Sequence, residues 1–294
     1  MEKGSRARDY HPDTRSVSQR RTFRSCGYKW LFNYLQGWRS RQTRAVMVLG
    51  SVMEQIASAI ACGWVTTADD AEAGFLLAWD MLDRSTVEWS VRNTWEAFRD
   101  QGAALSRIIV PQIQERIFVP EVLGQQYMQE RIFHFLAPGV REQCIPDLYG
   151  FVRQDLFSDY RLTVLDFKTK DRGFDDSAIE LDEQMVAYQL AEESKTRMVQ
   201  QLCLCVMIRG ANPKMQWLFA DPRPTLLVER HLQSATLIDA QIKRGEFWQN
   251  PNECFNMGEC EFLSLCYPSR AHERDAKLIR NGDRRASLFT GWDD

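Results

Sequence analysis

Near residue 124 the hydrophobic rhythm of this 294-residue chain changes, and that change limits the folds open to it. Upstream, apolar residues recur at spacings of three and four; downstream they alternate. Segments 125–136, 143–153 and 160–169 read as strands, an antiparallel meander turning at Pro138-Gly139 and Ser158-Asp159. Residues 177–194 return to helical spacing, with Ala178, Leu181, Met185 and Tyr188 on one side. Leu202 to Ile208 is a nearly unbroken apolar run, as expected of a strand buried on both faces, and Lys214 to Ala220 reads as another. A helix over 224–247 leads into a cysteine-rich tail. This order predicts an α/β fold, a mixed central sheet flanked by helices.

The upstream half is helical. From Ser18 to about Tyr34, Phe23, Cys26, Trp30 and Tyr34 share one face of a predicted helix. Residues 45–61 form a mostly apolar helix with Glu54 as its only charge, and a lone acid there calls for a reason. Residues 68–117 read as a helical layer, with Phe75, Ala78, Trp79 and Leu82 on one stripe.

Charge is unevenly spread. The net charge is −3, but residues 1–44 hold 11 Lys and Arg against 3 Asp and Glu, so a +8 start precedes a −11 body. Such an arm can steer a polyanion to an acidic site, although a tail of this kind is ordinarily just solvated; residues 1–17 read as disordered. No run is apolar and long enough to span a bilayer, and the Arg-rich start is unlike a signal peptide, so a soluble, cytoplasmic protein is expected.

The chemistry concentrates between 147 and 188. In Leu162-Thr163-Val164-Leu165-Asp166-Phe167-Lys168 the carboxylate and the ammonium point to one face of a strand, and Leu165 and Phe167 to the other. An isolated Asp-x-Lys on a strand is ordinarily a surface pair. Here Asp147 ends the apolar Cys144-Ile145-Pro146, and a helix follows with Gln184 and Tyr188 one turn apart. Mg²⁺ or Mn²⁺ prefers hard oxygen ligands, which Asp147 and Asp166 supply from adjacent strands. A metal there would polarise a phosphate and supply hydroxide near neutral pH, while Lys168 offsets charge on the phosphate oxygens.

On these residues the chain resembles the PD-(D/E)XK nuclease superfamily, and within it the RecB-like nucleases. The resemblance covers roughly residues 18–60 and 140–270. It implies a restriction-endonuclease-like core with Asp147, Asp166, Lys168, Gln184 and Tyr188 as its site. The family also carries a Gly-Thr-x-x-His helix; the matching stretch is Gly50-Ser51-Val52-Met53-Glu54, which puts Glu54 in the slot of a metal-binding His. The implied boundaries are one nuclease domain over 18–270, with a helical insertion at about 62–120, a core at about 121–222, a cysteine lobe at 248–268 closed by Cys26, and a polar tail over 271–294.

Eight cysteines without a secretion signal point to thiols or metal ligands. Cys62, Cys144, Cys203 and Cys205 lie in apolar segments and read as core thiols. Cys254, Cys260 and Cys266 occupy a loop-like stretch with equal five-residue gaps. Three thiolates are one short of the set an iron–sulfur cluster usually takes, and Cys26 is the available fourth. Zinc is the rival, although the two-to-four spacing of zinc knuckles is absent, and a site without metal is the third reading. RecB-like and AddB-like nucleases and the CRISPR-adaptation nucleases resemble this arrangement, one Cys before the core and three after. That likeness implies a 4Fe-4S cluster on Cys26, Cys254, Cys260 and Cys266, with Gly27 in Ser25-Cys26-Gly27-Tyr28-Lys29-Trp30 standing where Pro is common. Its role would be structural, closing the domain as one loop.

The sequence has no Gly-x4-Gly-Lys-Ser/Thr, and its four His are scattered. The expected function is a metal-dependent DNA nuclease, an exonuclease on single-stranded or end-containing DNA in recombination, repair or phage and mobile-element DNA processing. A homo-oligomer or a helicase or recombination partner is the expected assembly. A DNA-binding subunit and an iron–sulfur redox sensor are the other two readings.

Overall fold

A computed structural model describes residues 14–91, 93–119, 130–256 and 258–280. Contacts within the chain divide it into two compact units, one of residues 44–134 and 144–228, the other of residues 1–43, 135–143 and 229–294. Each unit is built from separate stretches of the sequence.

The first unit holds a five-stranded mixed sheet. Its strands are β1 (Ile117–Phe118), β2 (Leu148–Val152), β3 (Arg161–Lys170), β4 (Gln201–Ile208) and β5 (Lys214–Ala220), in spatial order β5-β4-β3-β2-β1. Only β3 and β4 run parallel, with Asp166 beside Leu204. Every residue of β4 is buried, as its apolar run predicts for a strand with neighbours on both sides and cover on both faces. Helices α1 (Ala45–Ala61), α2 (Ala68–Asp80) and α3 (Trp95–Arg116) pack together, and α1 lies against β3. The Phe75 ring occupies the place a Cβ on Gly102 would need, so α2 and α3 approach closely there.

The helical layer expected over 68–117 consists of two helices, α2 and α3. Asp83 turns the chain out of α2 by accepting the Ser85 N–H, and Thr94 caps α3 by accepting the N–H of Ala97. The helix expected over 177–194 is also divided, into α4 (Ala178–Leu181) and α5 (Glu183–Ser194), because Asp182 accepts the Gln184 N–H at 2.7 Å and starts a new helix.

The expected strand over 143–153 is two strands in different sheets, Val140–Cys144 and β2. Pro146, between them, has no N–H for a ladder. The meander is therefore split into two hairpins in different sheets, one turning at Gly139 and the other β2–β3. The strand expected over 125–136 begins at Ile132, and residues 120–129 lie outside the described ones.

In the second unit Thr14–Arg15 pairs in parallel with Arg141–Glu142, on a hairpin that turns at Gly139 with φ +74°. Thr14–Arg15, inside the expected arm, is therefore strand. Arg15 is buried against Asp239 at 3.1 Å, and Arg20 is buried in an ion pair with Glu142. The helix expected over 18–34 breaks at Cys26, which is extended (φ −161°, ψ 118°) between Val17–Ser25 and Gly27–Trp30. The helix Thr225–Lys243 ends just before Gly245, whose φ of +71° a helix cannot continue. Within the expected tail, Leu278–Arg280 pairs antiparallel with Trp38–Ser40. Among the described residues no helix is long and apolar enough to cross a membrane.

Candidate active site and cysteine cluster

The predicted acidic residues of the first unit meet around the middle of β3. Asp147 is the residue just before β2, and because Leu148 stands opposite Leu165 it falls beside Asp166. There it replaces the strand that Pro146 interrupts: its Oδ2 accepts the main-chain N–H of Phe167 at 2.7 Å. Asp166 is buried and forms an ion pair with Lys168, two residues along the same face. Gln184, in the first turn of α5, donates from Nε2 to Asp166 Oδ1 at 3.0 Å and also to the Tyr188 hydroxyl one turn later. Glu54 of α1 is near enough for its charge to act on Asp147.

The electrostatics show what this group lacks. Burial first, then the charges of Asp166 and Glu54, push the Asp147 carboxyl well above its usual range; Lys168 and the Phe167 N–H only partly offset them. Burial works against the Lys168 ammonium, but Asp166 and Asp147 outweigh it and its pKa rises. Burial, then Asp166 and Asp147, raise Tyr188 far above the ordinary phenol value, so it keeps its proton. Three carboxylates thus share a largely buried site with one ammonium. A hard divalent cation fits that imbalance and that oxygen donor set.

Sequence reasoning missed Asp182. It caps the helix that carries Gln184 and Tyr188, and its charge adds to the rise at Lys168. Its signal was an Asp one residue before the helical rhythm resumes.

The second unit brings the other set together. Cys26, Cys254, Cys260 and Cys266 line one cavity, with Lys29 and Glu253 at its wall. The break at Cys26 is fixed from the far end of the chain: Trp248 O accepts the Tyr28 N–H at 3.1 Å, and Asn250 Nδ2 donates to Ser25 O at 2.9 Å. Gly27 permits this approach, since a Cβ there would lie 2.6 Å from Trp248 N. Cys254 O accepts the Cys260 N–H at 2.8 Å and closes the intervening loop. Burial first, then Cys260, Cys26 and Cys254, push the Cys266 thiol up to about 12.

An all-thiol donor set is one that zinc and iron both accept. Of the remaining cysteines, Cys144, Cys203 and Cys205 are buried and Cys62 is half-buried. Burial raises the thiol pKa of Cys203 and Cys205, as expected of core thiols.

The fold and this geometry place the chain in a class of metal-dependent nucleases. It belongs to the PD-(D/E)XK nuclease superfamily, whose family model matches residues 14–267. Among solved structures the chain is similar to a candidate exonuclease of Eubacterium rectale, at 12% identity and a TM-score of 0.54, over 93% of this chain and 94% of that one. At that identity the likeness concerns the fold. No curated protein matches the chain.

Proposed function

We propose that the chain is a Mg²⁺- or Mn²⁺-dependent deoxyribonuclease, an exonuclease on single-stranded or end-containing DNA, with a structural 4Fe-4S cluster in its second unit. The observation that carries the reading is the hydrogen-bonded series Tyr188, Gln184, Asp166 and Lys168, with Asp147 beside it and Glu54 in electrostatic reach.

Asp147 and Asp166 are the residues to hold a divalent cation, with Glu54 as a third oxygen ligand. When bound, the cation supplies positive charge toward the scissile phosphate and acidifies water. Gln184 fixes the rotamer of Asp166 from outside, as outer residues of metal sites do. Lys168, kept charged by its two acids, is placed to orient the attacking water and to offset charge on the phosphate oxygens. Tyr188 accepts from Gln184 and keeps its own proton to donate, so it suits a phosphate oxygen.

The cluster reading rests on four thiols around one cavity, drawn from both ends of the chain. Four thiolates on iron would tie the segment around residue 26 to residues 254–266.

The test is anaerobic purification followed by incubation with end-labelled single- and double-stranded DNA in Mg²⁺ or Mn²⁺, beside Lys168→Ala. Cleavage by the wild type that disappears in the variant is expected, and the product ladder gives the polarity. Binding without cleavage by the wild type would overturn the enzymatic reading in favour of a DNA-holding subunit. Iron and sulfide analysis of the same preparation tests the cluster.

A further inference from the structure

The sheet face that carries Asp166 and Lys168 continues into an exposed run of rings. Phe118 of β1 stands opposite Phe151 of β2, and Phe151 opposite Leu162 of β3. Opposed residues share a face, and alternation along β3 puts Leu162, Asp166 and Lys168 on that same face. Tyr160, just before β3, has its ring 6.2 Å from that of Phe118, and the Arg153 guanidinium lies 5.2 Å above the Tyr160 ring. Phe118 is 53% exposed and Tyr160 41%.

The β2–β3 loop adds a ring with no cover. Phe157 is 98% exposed, yet its loop is held in one shape. Asp155 Oδ1 accepts the N–H groups of Phe157 and Ser158 at 2.8 and 2.9 Å, and the Asp155 N–H donates to Ser158 Oγ at 3.0 Å. A loop fixed by its own hydrogen bonds while presenting a bare phenyl ring is preorganised for a partner.

Charge identifies the partner. Among the described residues the Arg153 guanidinium donates to main-chain oxygens, those of Glu115 and Leu156, and to no carboxylate. A guanidinium held over a ring and among further accessible rings matches a chain of phosphates and unstacked bases. In a duplex the base faces are already stacked and unavailable.

We propose that Phe118, Phe151, Tyr160 and Phe157, with Arg153, form a platform for single-stranded nucleic acid leading to the Asp147/Asp166 site. From Tyr160 to Asp166 is six residues of strand, or about 20 Å, so the platform engages several nucleotides beyond the one being cleaved. The inference rests on the nuclease reading for its direction, but not for binding itself.

The test uses the full-length protein with metal chelated, so that binding is read without cleavage. Fluorescence anisotropy of a labelled oligothymidylate of roughly 30 nucleotides is compared for wild type, Phe157→Ala and the double variant Phe118→Ala/Phe157→Ala. Both side chains are exposed, and unchanged melting temperatures establish that the variants fold. The expected result is Kd weakened about 5- to 100-fold in the double variant, with a smaller loss in the single one. Restoring Mg²⁺ should then raise KM on the same strand while kcat is retained. Equal affinities for all three proteins, or no binding by the wild type, would overturn the platform whatever the cleavage assay shows. Ring-dependent binding by a wild type that never cleaves would leave the platform standing and remove the nuclease reading.

Discussion

Asp147 accepts the Phe167 main-chain N–H at 2.7 Å while Asp166, the preceding residue of that strand, faces it as a second buried acid. One side chain thus has two duties, completing the sheet and contributing charge to the site. Substitution can separate them.

Asp147→Asn keeps an oxygen to accept the Phe167 N–H and removes the charge. Because the Asp147 pKa is raised in the folded state, the native protein holds a proton that the unfolded chain has already lost in the interval above the usual aspartate value. Stability of the metal-free protein therefore falls as pH rises through that interval and is not recovered above it. The variant should show a smaller fall, a higher Tm than wild type at neutral pH in chelator, and no cleavage. A lower Tm for Asp147→Asn would mean that the charge is not a cost to the fold. Asp147→Ala, which also abandons the N–H, should melt below Asp147→Asn.

Gln184→Ala removes the amide that holds Asp166 Oδ1 without touching the ligand set. Residues that orient metal ligands typically contribute about 10- to 100-fold in metal affinity or activity. A Mg²⁺ or Mn²⁺ titration of cleavage should shift to higher concentration by a factor in that range. Activity equal to wild type at every metal concentration would mean that Asp166 needs no such support.

How much of this was legible follows from how local each feature is. Gln184 and Tyr188 sit one helical turn apart, and Lys168 one pleat from Asp166, so residue spacing alone brings them together. Glu54 stood out as the only charge on an apolar helix. The features misread depend on distant partners. Arg15 and Arg20 looked like part of a free basic arm, yet they are buried against Asp239 and Glu142, the latter 122 residues away. The break at Cys26 is imposed by Trp248, and no local rhythm encodes it. Pro146, by contrast, was a local signal, and its missing N–H accounts for both the divided strand and the place of Asp147.

The burial of Arg20 changes what its removal should do. Deleting one member of a buried ion pair leaves an uncompensated charge and costs about 3–5 kcal/mol. His231 Nε2, 3.3 Å from both Arg20 and Glu142, cannot replace the guanidinium fork. Arg20→Ala should therefore lower Tm sharply. A phosphate-binding residue would instead leave Tm alone and reduce the salt dependence of DNA affinity. Thermal melting beside a salt titration separates the two.

Gly27→Ala tests whether the cysteine cavity depends on the close passage of residues 247–248. The new methyl would lie 2.6 Å from Trp248 N and 3.1 Å from Phe247 Cα, both main-chain atoms that cannot rotate aside. Relief requires moving either the segment around Trp248 or the start of Gly27–Trp30, and either motion shifts Cys26 relative to Cys254, Cys260 and Cys266. Overpacking of this kind costs about 1–3 kcal/mol. Under the cluster reading the variant should also carry less iron per chain and lose visible absorbance, while the predicted ligands Asp147 and Asp166, in the other unit, are unaltered. A variant that melts lower but binds iron as wild type does would show that Gly27 serves packing alone. One that melts and binds iron as wild type does would show that the chain can yield at Trp248 without cost.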